Sequence, residues 1–148
     1  MTAVATAVLG ISAGAMLAEQ MVLVPYWRSL PPADFLRWFA ENEPRLVAFY
    51  GPLEIAAMTL AVLATLLHAL RRRAGIGWLA CSMLLAVAVL ALYPAYFREV
   101  NARFAAGTID VAQVPAELVR WSAWQWYRIA AGMGAFLTSV AALSGERA

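Results

Sequence analysis

The chain has 148 residues, 64% of them hydrophobic and only 14% charged. Composition this apolar excludes an ordinary soluble domain and predicts an all-α integral membrane four-helix bundle, a single transmembrane domain over 1–148 with spans of ~20 residues. The net charge of +2 comes from arginines and acids without a single lysine, and no basic stripe is long enough to expect nucleic acid as a partner.

The first span is expected over about 3–26. No Arg or Lys precedes Arg28, so the basic region of a secretory signal is missing and the run is read as a retained span. Gly10 and Gly14 form a small-xxx-small pair that lets another helix come close. That pair is read as packing within the protomer ahead of a dimer face, with a homo-oligomer left open. Pro25, Pro31 and Pro32 are expected to end the helix. Phe35, Trp38 and Phe39 then fall at i, i+3, i+4 opposite Asp34 and Arg37. This spacing predicts a short amphipathic interfacial helix between spans one and two, with Glu41 to Arg45 closing a loop.

Span two is expected over about 47–70 and stops at Arg71, Arg72 and Arg73. Span three follows over about 76–97, with Pro94 positioned to kink its last turn. Residues 98–114 read as a polar loop broken at Gly107 and Thr108. Pro115 suits the first turn of span four, expected over about 116–143. Three arginines in one tight connection place that side, with both termini, in the cytoplasm, in the inner membrane of a bacterium.

Three ionisable side chains interrupt these spans: Glu19, Glu54 and Arg128. Charges in hydrocarbon are expensive and mark sites or pairings. Counted from the span ends, all three lie at a similar depth towards the non-cytoplasmic side. Trp121, Trp124, Gln125 and Arg128 share one helix face at i, i+3, i+4, i+7, and Tyr50 shares a face with Glu54. Tyr93 and Asn101 belong to the same end. Arg128 can balance one carboxylate, which leaves the other acid as a candidate general acid or base. The expected catalytic set is therefore Glu19, Glu54 and Arg128. The expected substrate-binding set is Tyr50, Tyr93, Trp121, Trp124, Gln125 and Asn101, in a pocket lidded by the segment around 35–39. The plainer alternative is a salt-bridged core that only fixes helix register. Trp126 is read as part of an interfacial aromatic belt.

Cys81 is the only cysteine and reads as a small packing residue. His68, the only histidine, reads as an interfacial polar residue. There is no His pair for haem, no Glu-x-x-His pattern for a di-iron centre, no phosphate loop and no serine elbow. Neither a metal nor a cofactor is expected.

Several short stretches together resemble the anthrone oxygenase-like family of small four-span membrane proteins. They are Gly14 with Glu19, the run Leu23, Val24, Pro25, Tyr26, Trp27, and the run Pro31, Pro32, Ala33, Asp34, Phe35. Tyr93 and Pro94 with Asn101, and Trp124, Gln125, Trp126, Tyr127, Arg128, complete the pattern. The chain departs from it at Gln125, where a His before the final Arg would be expected. The resemblance implies cofactor-independent oxygenation of a phenolic polyketide. The residues themselves leave three functions open: an intramembrane enzyme acting on a lipophilic small molecule by acid/base chemistry, an acid-initiated isomerase or cyclase, and a non-catalytic lipid-binding or carrier module.

Overall fold

The computed structural model describes residues 1–71 and 75–145, which are almost wholly helical. Of the three arginines expected to set topology, Arg72 and Arg73 lie outside the described residues. Among the described residues are four helical rods, each long and apolar enough to cross a bilayer, and the chain is a membrane protein built as an all-α four-helix bundle. Rod one is α1 (Thr2–Ala18), a π-helical turn (Glu19–Leu23) and α2 (Val24–Ser29). Rod two is α3 (Pro32–Leu70). Rod three is α4 (Ile76–Leu92), a second π-helical turn (Tyr93–Phe97) and α5 (Arg98–Ala105). Rod four is a 3₁₀ turn (Val111–Gln113) followed by α6 (Val114–Gly145).

Short connections bring the rods back on one another. Pro31 is extended and Pro32 opens α3, where a missing N–H costs nothing. Gly75 takes a left-handed conformation, φ 85°, immediately before α4. Gly107, also left-handed at φ 61°, makes the expected break after rod three. Asp110 accepts a hydrogen bond from the Ala112 amide at 3.0 Å and starts rod four. Pro115 sits in the first turn of α6, as its position predicts.

Three expectations about boundaries are corrected. Pro25 does not end the first helix. The π turn before it carries the chain on to Ser29, with the Val24 amide donating to the Glu19 carbonyl in place of the usual partner one residue nearer. The separate interfacial helix and its closing loop are absent: residues 32–70 form one helix that takes in Pro44 and Pro52. The first part of the polar loop expected after span three is helix α5, whose Val100 and Phe104 are buried. Long apolar contacts explain all three, because each extension buries aromatic side chains that a loop would leave exposed.

The bundle has two unlike halves. Towards the termini, Leu9, Ala57, Ala61, Ala86 and Ala135 form the core. Gly10 faces the Phe136 ring, so its smallness serves a contact inside the protomer, while a side chain at Gly14 would meet nothing within 4 Å. Hydroxyls pin the rods together: Thr6 and Ser139 at 2.6 Å, Ser82 donating to the Ala135 carbonyl at 2.7 Å, Thr65 to the Leu79 carbonyl at 3.0 Å. His68, expected at the interface, is buried, its Nδ1 3.0 Å from the Ala64 carbonyl. Cys81 is exposed on α4 and packs no core. In the other half, Trp27, Phe35, Phe39, Phe97, Phe104 and Trp121 make a core of rings packed edge to face.

Candidate functional site

The polar groups meet where these halves join. Glu19 comes from the π turn of rod one, Glu54 from α3, and Gln125 and Arg128 from α6. All four are buried. Arg128 Nη2 donates to Glu54 Oε1 in a buried ion pair. Arg128 Nη1 donates to Gln125 Oε1 at 3.0 Å. Gln125 Nε2 donates in turn to Glu19 Oε2 at 2.8 Å and to the Met16 carbonyl at 3.2 Å. The Arg128 guanidinium lies 4.5 Å from the centre of the Phe97 ring, a cation–π contact. The convergence expected from span depth is therefore present.

The charges in this network are not shared equally. Arg128 pairs directly with Glu54, while among the described residues Glu19 is hydrogen-bonded by the Gln125 amide alone. Fixed on both sides, that amide has one consistent orientation. It ties the second acid to the ion pair, with no direct ion pair between Glu19 and Arg128.

Above the network lies a cavity of about 190 Å³, lined mostly by carbon. Glu19, Glu54 and Arg128 are at its floor, with Trp27, Phe39, Tyr50, Tyr93, Asn101 and Trp121 among its walls. Apolar and aromatic lining with a few convergent polar groups is the usual character of a small-molecule site.

Of the six residues expected to bind substrate, four line this space: Tyr50, Tyr93, Trp121 and Asn101. Tyr50 donates to the Ala15 carbonyl at 3.3 Å. The Trp121 indole donates to Asn101 Oδ1 at 2.9 Å. That bond turns the amide so that its NH₂ is left to serve as a donor. The other two differ from expectation. Gln125 is fully buried inside the network and holds other residues rather than forming a wall. Trp124 stacks on Tyr96, rings 5.0 Å apart and nearly parallel, and the Tyr96 hydroxyl donates to Glu117 at 2.7 Å. Trp124 therefore lies outside the cavity. Trp126 and Tyr127 are exposed on the outer face of α6.

Eight lining residues fall outside the expected set, and three of them, Trp27, Phe39 and Glu43, bring rings or charge. Trp27 is buried, and its Nε1 has no hydrogen-bond partner among the described residues. Phe39 was expected on an interfacial lid; it is instead packed against Trp27 and Phe104 and forms part of the wall. The segment around 35–39 is thus core, not a detached lid. Glu43, expected in a loop, is half-buried at the rim on the face of α3 that carries Val47, Tyr50 and Glu54. Among the described residues, no three His, Cys, Asp or Glu side chains converge as a metal site would need.

Comparison of the chain with protein-family models, curated proteins and solved structures finds no match.

Proposed function

We propose that this cavity is the active site of an intramembrane enzyme that takes a lipophilic, polyketide- or terpene-like small molecule. The observation that carries the reading is the asymmetry of the two acids: Arg128 is spent on Glu54, while Glu19 faces the cavity held only by an amide. Glu19 is then the proton-transfer group, and Glu54, Arg128 and Gln125 hold it in place. The Asn101 NH₂ and the Tyr93 hydroxyl are the donors available to an oxyanion developing on the ligand. Trp27, Phe39 and Trp121 supply flat walls for a conjugated ring.

Within this class the leading reaction is cofactor-independent oxygenation of an anthrone-like substrate, which rests on the resemblance to anthrone oxygenase-like proteins. Glu19 takes a proton from the activated ring methylene, and the charge spreads to the ring carbonyl. Molecular oxygen adds to this carbanion, and the proton on Glu19 returns to the peroxide so formed. Cleavage of its O–O bond with loss of the remaining C–H proton releases water and leaves the quinone carbonyl. Gln125 suits this scheme without replacing a proton carrier. It bridges two groups and does not titrate, so the proton work falls on Glu19 alone.

The test is oxygen uptake by the purified chain with a hydroxylated anthrone. Wild type should exceed the spontaneous rate, and Glu19→Gln should lose about 10²–10⁴-fold of that excess while melting like wild type. Uptake no faster than the spontaneous rate removes the oxygenase. A rearranged product without oxygen uptake favours the isomerase or cyclase, and binding without any product favours the carrier. A bacterial inner-membrane location with cytoplasmic termini completes the proposal, supported by the arginine run at 71–73. A periplasm-dependent phosphatase fused after Gly107 should then be active, and an inactive fusion reverses the orientation.

A further inference from the structure

Beside the cavity, a groove of about 560 Å³ runs along rod three, with α3 bordering it at one residue. Met58 of α3 lines it with Val87, Leu90, Ala91 and Tyr93 of rod three, and Arg98 stands at one end. Leu90 and Tyr93 belong to both spaces. The cavity also reaches the surface on this side, because its lining residues Val47 and Ile55 are 43% and 54% exposed. Between them is Gly51, where an added Cβ would meet nothing within 4 Å, so α3 is notched at the mouth. Two other sides are closed. Met16, Gln125 and Ile129 are buried where α1 meets α6, and the rings of Trp27, Phe35 and Phe104 fill the end.

We infer that the groove is the second half of a two-part ligand site. The polar ring of the ligand occupies the cavity, its aliphatic chain lies in the groove, and the whole molecule enters sideways from the bilayer between α3 and α4. This rests on the reading of the cavity as a ligand site and adds the class of ligand: a ring-headed amphiphile with a chain.

The geometry of the two helices supports it. From Arg98 to Val87 the groove runs about 16 Å along rod three, at ~1.5 Å per residue. It leads from the polar end of the bundle, past Tyr93, towards the bilayer centre. An amphiphile in a membrane already lies this way, head outward and chain inward, so it need not turn over to enter. Main-chain bonding is also thinned on both sides of the mouth. Pro52 brings no N–H to α3, and the wide turn of rod three begins at Tyr93.

Photolabelling of the full chain in nanodiscs tests this with two probes. One is a long-chain alkylphenol with a diazirine at the chain end; the other is a short phenol with the diazirine on the ring. The ring probe should label the cavity, at Tyr50 or Trp121. The chain-end probe should label Met58, Val87 or Ala91, and excess short phenol should displace it, because the two probes share one head site. Ala91→Trp should lower chain-end labelling relative to ring labelling. If the ring probe labels the cavity but chain-end label spreads over the lipid face, or persists in excess phenol, ordinary lipid chains fill the groove and the inference fails while the cavity stands. An unchanged labelling ratio in Ala91→Trp overturns it too. If neither probe gives displaceable label, the cavity reading falls and takes the groove with it.

Discussion

Near the chain termini, the four rods meet on Leu9 and a set of alanines; at the opposite end they meet on Trp27, Phe35, Phe39, Phe97, Phe104 and Trp121. Small residues let backbones close up, and the space left between Leu9, Ala57, Ala86 and Ala135 is only about 10 Å³, hardly room for one water. Large rings hold the rods apart, and the space there is about 190 Å³. The polar network lies at the seam. Glu54 contributes to the lining of both spaces. The tight half thus acts as a clamp that fixes the depth and facing of the acids, and the open half provides room for a ligand over them. A membrane interior gives no hydrophobic drive to join helices, so close contact in one half is what permits a void in the other.

The largest stability effect should come from breaking the seam. Arg128→Met leaves Glu54 buried without its partner and should cost about 3–5 kcal/mol, measured by unfolding in mixed detergent micelles. Adding Glu54→Leu should restore most of the loss; no recovery would show that Arg128 supports the seam through Gln125 and Phe97 instead. A smaller effect is expected from overfilling the tight half. Ala61→Leu puts extra methylenes into a core without space and should cost about 1–3 kcal/mol. On the cavity side, adding the single methyl of Gly51→Ala should cost far less, since nothing stands within 4 Å of it. The smallest effect separates the two glycines of α1. Gly14→Ala should stabilise by about 0.5–1 kcal/mol through backbone entropy. Gly10→Ala should destabilise, because its methyl would come within 3.0 Å of the Phe136 ring. If both glycines respond alike, the tight packing described for this half is wrong.

Much of this architecture was readable from the residues. Four apolar runs gave four rods, and depth counting brought Glu19, Glu54 and Arg128 together because a rigid helix converts residue number into height. Facing on α6 was readable for Trp121, Gln125 and Arg128, which keep the 3.6-residue period over an unbroken helix. Trp27 was not readable. It lies eight residues after Glu19, and at 3.6 residues per turn the two would stand roughly 80° apart. The π turn adds a residue and returns Trp27 to the inner face. Val89 and Phe97 are related in the same way across the second π turn. Glu43 and Phe39 were missed for another reason: Pro44 reads as a helix end, yet tertiary contacts carry α3 straight through it. Trp124 has the right spacing for the cavity, but Tyr96 lies closer and takes its face.

The Gln125 amide holds Glu19 by Oε2 alone. A proton arriving on the other carboxylate oxygen would break no bond of that contact. Glu19 can therefore pass between its acid and base forms while the surrounding scaffold stays still, and a full catalytic round would demand no rearrangement of the floor beneath the ligand.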